Sequence, residues 1–284
     1  MPYAHNGNVD LYYEVEGPAD GPTAIVVNGY GAQLTGWPAP FVTKLTKAGI
    51  RAVLMDNRDA GLSSQTGTPD QTTGTYTMGD MADDVVAVAE AAGAPRFHVI
   101  GQSMGGMIAQ QLLADHQDAL VSATMFYTAP SFGPQWATNA ESQEVVSHSG
   151  LAPIDDPEQA IASGYQRMQM CREGSAYPID EDALRALARR QYERCYRPDG
   201  TARQLTAIEG FGVTDDQLAA VTIPTSVWHG KADPYFGPQA AWHIATHIPT
   251  AELHLFPGMA HEFPLPLIPT FVEGIARQVL GAEA

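Results

Sequence analysis

Apolar and polar positions alternate along residues 9 to 16, with Val9, Leu11, Tyr13 and Val15 on one side and Asp10, Tyr12, Glu14 and Glu16 on the other. Asn6-Gly7 just before them is a hairpin turn signal, so the chain is expected to open as a β-hairpin. Short continuous apolar runs follow at Ala24–Val27, Ala52–Met55, Phe97–Ile100, Ala123–Tyr127, Thr225–Trp228 and Leu253–Phe256. Runs of this length suit strands buried on both faces of a parallel sheet. Between them lie helical periods. The clearest covers residues 80–93, where Met81, Val85, Val88, Ala89 and Ala92 share one face and Gly93 closes the helix. Strand and helix alternate, which predicts an α/β fold: a mostly parallel twisted sheet with helices on both faces.

The alternation stops between about Ser131 and Asp215. Helices are expected near 136–149, 157–173 and 180–196, with Pro198-Asp199-Gly200 read as a separator, and no strand-like run appears. The expected organisation is a core formed by residues 1–131 and 216–284, and a helical cap over 132–215.

Composition removes several classes of function. Of 284 residues, 44% are hydrophobic and only 17% charged, a globular balance rather than that of a disordered tail. Fifteen Lys and Arg stand against thirty-two Asp and Glu, a formal charge of −17. Nucleic acid and anionic membrane are therefore not expected partners. The start, Met1-Pro2-Tyr3-Ala4-His5, has neither the basic nor the apolar part of a secretory signal, and no run approaches the roughly 18 apolar residues of a membrane span. A cytoplasmic protein is expected. The two cysteines, Cys171 and Cys195, make no disulfide framework and no metal spacing, and are read as free thiols. Nothing in the sequence sets an oligomeric state.

Chemistry enters at Gly101-Gln102-Ser103-Met104-Gly105, between the run Phe97–Ile100 and a helical start. A serine on a sharp strand-to-helix turn holds its hydroxyl exposed at the carboxyl edge of a sheet, and the flanking glycines leave room for the turn. An ordinary helix cap is the competing reading of Ser103. A serine hydroxyl becomes a nucleophile when a neutral imidazole takes its proton and a carboxylate orients that imidazole. Asp233 and His261 each lie just past a predicted strand, so both are expected at the sheet edge that carries Ser103. The order Ser…Asp…His fits. The amide of Met104 and that of Tyr30, in Asn28-Gly29-Tyr30-Gly31, are the expected oxyanion donors. A dinucleotide loop is not read there, because Leu34 stands where the third glycine is needed.

His243 and His247 are four apart, but no Glu of the His-Glu-x-x-His kind lies between them and no third ligand stands nearby. They are read as helix surface, and no metal or organic cofactor is expected. His229, near enough to Asp233 to line the site, is taken as a substrate contact together with Trp136 and Tyr165. Phe132, Met168, Met170, Tyr177, Tyr192 and Tyr196 complete the apolar candidates of the cap, the majority of which are expected to pack it onto the sheet. Eight arginines of this stretch, Arg167, Arg172, Arg185, Arg189, Arg190, Arg194, Arg197 and Arg203, are read mainly as partners of Glu181, Asp182 and Glu193 on solvated helix faces.

Together the Gly101–Gly105 elbow, His229-Gly230-x-x-Asp233-Pro234, Gly258-x-x-His261 and the Asp56-x-Arg58 loop resemble the α/β-hydrolase superfamily over nearly the whole chain outside the cap. The loop Asp56-Asn57-Arg58-Asp59-Ala60-Gly61-Leu62-Ser63 has Asp59 where many members have glycine. With Gly36-Trp37-Pro38 upstream, it is similar to the aclacinomycin methylesterase-like group, whose activity is hydrolysis of a methyl ester on a polyketide. Asn28 departs from the histidine many relatives carry. Serine at the elbow argues against the haloalkane dehalogenases and epoxide hydrolases, whose pattern has aspartate there. The resemblance implies a serine carboxylic-ester hydrolase acting on a small-molecule ester. Carbon–carbon bond hydrolysis, perhydrolysis and amide cleavage use the same residues and stay open, as does a hydrolase-fold binding protein without turnover.

Overall fold

The computed structural model describes residues 2–68, 71, 73, 75–139, 141 and 153–282. The hairpin β1 (Tyr3–Asn6) and β2 (Val9–Glu16) is present, with Gly7 at φ 57° in its turn. Six further strands follow: β3 (Thr23–Val27), β4 (Arg51–Met55), β5 (Phe97–Gln102), β6 (Leu120–Phe126), β7 (Thr225–Gly230) and β8 (Ala251–Phe256). They form one sheet in the order β1-β2-β4-β3-β5-β6-β7-β8. Pairing is parallel from β4 to β8 across the sheet and antiparallel only at the β1 and β2 edge. Every residue of β3 and β7 is buried, as continuous apolar runs require of strands covered on both faces.

The pleat sends alternate side chains into two cores. Ile25 and Val27 join the one that packs against α2 (Met78–Ala91), α3 (Met104–Asp115) and α8 (Pro238–His247). Ala24 and Val26 join the one beneath α1 (Ala39–Lys47) and α9 (Ile268–Ala282). The start of α2 is fixed by a capping box, in which Thr77 accepts from the Asp80 amide and Asp80 reaches back to Thr77. Among the described residues no helix is long and apolar enough to cross a membrane.

Between β6 and β7 lie α4 (Pro157–Met170), α5 (Glu181–Arg194), α6 (Pro198–Glu209) and the single-turn α7 (Asp215–Ala219). The first two match expectation. The third corrects it, because Pro198-Asp199-Gly200 opens a helix instead of separating two. Proline fits the first helical turn, where its missing N–H has no partner to lose, and Asp199 suits the positive end of the helix dipole. The helix expected near 136–149 lies largely outside the described residues; over 136–139 the chain turns, and Ala137 makes an isolated bridge to Phe236.

The arginines of this stretch also differ from expectation. Arg189 pairs with Glu158 and approaches its i,i+4 neighbour Glu193 only to 4.0 Å. Arg194 instead reaches Asp56 of the core at 2.7 Å, and Arg203, 1% exposed, grips Asp59. Arg172 pairs with Glu262. Arg172, Arg194 and Arg203 thus tie the helices to the loops at the sheet edge, whereas Arg189 sits with Glu158 and Glu193 on a solvated helix face.

Candidate active site

Parallel pairing brings the carboxyl ends of β3, β5, β7 and β8 to one rim, and the loops that leave them carry Asn28–Gly31, Ser103, Asp233 and His261. Ser103 sits between β5 and α3 at φ 54° and ψ −118°, a left-handed backbone that costs a non-glycine residue about 1–3 kcal/mol. Close packing imposes it: a Cβ on Gly101 would run into the Gly105 carbonyl, and one on Gly105 into the Val27 carbonyl. Ser103 occupies the N-cap position of α3, yet its side chain caps no amide. The hydroxyl is left free for other work, which removes the ordinary-cap reading.

Asp233 is fully sequestered. Its Oδ1 accepts from the amides of Tyr235 (2.8 Å) and Phe236 (3.0 Å), and its Oδ2 lies 2.8 Å from Nδ1 of His261. Burial pushes the Asp233 carboxyl upward, but the adjoining His261 charge and hydrogen bond outweigh it and hold the group below the usual carboxylate range. An ionised carboxylate only accepts, so Nδ1 of His261 carries a hydrogen, and in the neutral ring Nε2 is the nitrogen with the lone pair. The ring of Tyr127 lies 4.5 Å from that imidazole, centre to centre.

The loop bearing His261 is held from both sides. From the core, the Ala232 amide donates to the Met259 carbonyl at 2.9 Å. From the turn after α4, Cys171 accepts the His261 amide at 3.0 Å, Ala176 donates to Gly258 at 2.8 Å, and Ser175 and Arg172 both bind Glu262.

Gly29 lies against Ser103, where a Cβ would stand 3.1 Å from the serine Cβ. This leaves the backbone of Gly29-Tyr30 beside the hydroxyl, with the Met104 amide at the start of α3. The substitution of Asn28 for histidine has a local answer: its Oδ1 accepts from Gln102 at 2.8 Å, and Gln102 in turn accepts from the Tyr127 hydroxyl. Gln204 of α6 bridges the loops, accepting from the Gly31 amide and donating to the Arg58 carbonyl, both at 2.8 Å. Neither Gln204 nor Tyr127 carried a motif; the fold alone brings them here.

Ser103 and His261 open on one cavity of about 400 Å³, within the range of small-molecule sites. Of the apolar candidates, Phe132, Met168, Met170, Tyr192 and Tyr196 line it, more than expected, and Tyr177 does not. Trp136, Tyr165 and His229 do not, which corrects their assignment as substrate contacts. Trp136 lies against His243, 4.7 Å between ring centres. Tyr165 packs between α4 and α5 beneath Arg185, and its hydroxyl binds Glu181. His229 is wholly buried, with Nε2 2.9 Å from the Phe236 carbonyl and 3.8 Å from Asp233. Burial lowers its pKa and keeps the ring neutral. Composition named the right residue types here, but not the faces they occupy.

A serine on a sharp strand-to-helix turn of a mostly parallel sheet, with an imidazole and carboxylate on neighbouring strand ends, is a geometry suited to hydrolysis. The chain belongs to the family described as alpha/beta hydrolase fold, whose model matches residues 22–265, and it is an enzyme of that family. It is 29% identical over 258 residues to a putative carbamate hydrolase, RutD, of Variovorax paradoxus, covering 88% of this chain and 89% of that one. It is 26% identical over 293 residues to the rhodomycin D methylesterase DnrP of Streptomyces peucetius, covering 92% and 91%. Among solved structures, the enol-lactonase of Burkholderia xenovorans LB400 superposes with a TM-score of 0.77 at 21% identity, over 98% of this chain and 100% of that one.

Proposed function

We propose that this protein is a serine carboxylic-ester hydrolase for a small to medium apolar or aromatic ester. Ser103 Oγ attacks the ester carbonyl while Nε2 of His261 takes its proton, and Asp233 holds the imidazole and stabilises its cation. The amides of Tyr30 and Met104 bind the developing oxyanion. Collapse releases the alcohol, which receives the proton from His261, and leaves an acyl group on Ser103. Water, deprotonated by His261, then attacks the acyl carbonyl and frees the acid and the serine. The helices within 132–215 act as a cap over a core of 1–131 and 216–284. Besides substrate and water, the reaction calls on no metal or organic cofactor.

The observation that carries this reading is the backbone of Ser103, strained and with its side chain unused as a cap, facing the same cavity as an imidazole hydrogen-bonded to a buried carboxylate. The methylester-hydrolysing relative supports the ester as substrate. A second reading, cleavage of a carbamate or amide by the same residues, is favoured by the carbamate hydrolase relative. The test is turnover of p-nitrophenyl esters and matched anilides by the native protein and Ser103→Ala. The variant is expected to keep its fold by circular dichroism and to lose at least about 10⁴-fold in kcat. A fluorophosphonate is expected to label the native serine. Retention of a tenth of the activity in Ser103→Ala would refute the assignment, and anilides turned over faster than esters would favour the second reading.

A further inference from the structure

On the far side of β7 from α9, α8 carries His243 and His247 one turn apart, their ring centres 4.1 Å from each other. The sequence supplies no third donor beside them, but the fold does. Asp215, the first residue of α7, places Oδ1 2.8 Å from Nε2 of His243 and Oδ2 3.5 Å from Nε2 of His247. One donor atom from each of the three residues falls within 4.8 Å of the others. The earlier reading of the two histidines as plain helix surface missed this carboxylate, which lies 28 positions from His243 in the chain.

We infer that Asp215, His243 and His247 form a binding site for a zinc-type transition-metal dication, with water filling the remaining positions. The distances fit. Metal–nitrogen and metal–oxygen bonds of about 2.0–2.2 Å, at tetrahedral to right angles, set neighbouring donors roughly 2.8–3.5 Å apart. The donors are also turned correctly. Nδ1 of His247 donates to the His243 carbonyl at 2.8 Å, which fixes the tautomer and leaves Nε2 a lone pair for the metal. His243 is held by Trp136, whose indole N–H is itself tied to Ser131 Oγ at 2.8 Å. Two imidazoles and one carboxylate select zinc, nickel, cobalt or copper over magnesium and calcium, which prefer all-oxygen shells. The negative net charge of the chain adds a general attraction for cations.

None of the three residues lines the cavity that holds Ser103, so the site is separate from the proposed chemistry. It is connected to it mechanically. Trp136 accepts the Gly237 amide at 2.9 Å, and the neighbouring Phe236 amide donates to Asp233. An ion joining α7 to α8 would stiffen the segment that leads into the Asp233 loop.

The test is calorimetric titration of the full-length, chelator-treated protein with zinc chloride, repeated with cobalt chloride and visible spectroscopy. One ion per chain is expected, with a large excess of magnesium failing to displace it and with a zinc-dependent rise in melting temperature. His243→Gln, His247→Gln and Asp215→Asn are each expected to weaken zinc at least about tenfold. His116→Gln, which removes a half-buried histidine whose ring is paired with Asp83, is expected to leave binding unchanged. All of these side chains are partly exposed, and native melting curves without zinc check that the variants fold. Absence of saturable zinc binding to the native protein, or binding equally tight in the three site variants, would overturn the inference. So would loss of binding in His116→Gln.

Discussion

Removing the guanidinium of Arg203 tests whether α6 is locked to the sheet edge by charge. Both side chains of the Arg203–Asp59 pair are fully buried. Nε and Nη2 of Arg203 meet the two Asp59 oxygens at 2.9 and 2.8 Å, and Nη1 donates to the carbonyls of Thr68 and Gln71, each at 3.0 Å. In Arg203→Met the methionine fills much of the volume but leaves a buried carboxylate without its cation, still bound by Thr66 through its amide and hydroxyl. Orphaning one member of a buried pair costs about 3–5 kcal/mol. With an unfolding entropy near 2.1 cal/mol/K per residue, a 284-residue chain then loses roughly 5–8 °C in melting temperature. The added substitution Asp59→Asn removes the stranded charge and keeps a residue type that tolerates the φ of 65° at this position. The double variant is therefore expected to recover about 2 kcal/mol relative to the sum of the single changes. Urea melts of the four proteins measure the cycle. Single losses below about 1 kcal/mol, or strictly additive ones, would refute the claim that the pair is a buried electrostatic lock.

The remaining expectations concern titration and thiol reactivity. Burial holds the pKa of His229 below its ordinary 6.5, so the unfolded chain takes up this proton before the folded one does. Stability is therefore present above about pH 6.5 and declines as pH falls below it, until the folded pKa is passed. Asp233, with a lowered pKa, adds a loss of the same sign at lower pH. His229→Gln is expected to flatten the slope of melting temperature between about pH 6.5 and 5, and an unchanged slope would count against the neutral, buried imidazole. Burial raises the Cys171 thiol to about 11, so iodoacetamide at pH 8 is expected to alkylate it far more slowly than a cysteine in denatured protein, as read by mass spectrometry.

The features legible in the sequence were those with a local signature. The apolar runs of β3 to β7 needed only their own composition, because strands covered on both faces are mostly apolar, whereas β8 is a partly exposed edge strand. Ser103 was readable because its turn demands small neighbours on each side, and Asp233 and His261 because they follow strands that had to end at the same rim. The interactions that fix the site had no such signature. Arg203 and Asp59 are 144 positions apart, and Gln204 and Gly31 are 173 apart, so no period or spacing connects them. Pro198-Asp199-Gly200 was ambiguous for a physical reason, since the same residues that favour a turn also suit the first turn of a helix. Trp136 and Tyr165 show the limit of composition: aromatic rings in a helical segment indicate burial, but packing partners decide whether they meet a ligand or each other.

The hydrogen bond from the His261 amide to Cys171, with the Ser175 and Arg172 contacts to Glu262 beside it, means that the roof of the pocket, at the turn after α4, and the loop carrying His261 are carpentered as one joint. Grafting the roof of another hydrolase onto this frame to change its substrate would cut that joint and leave the imidazole adrift. A workable transplant would have to carry residues 171–176 together with their matching stretch, 257–262, as a single piece.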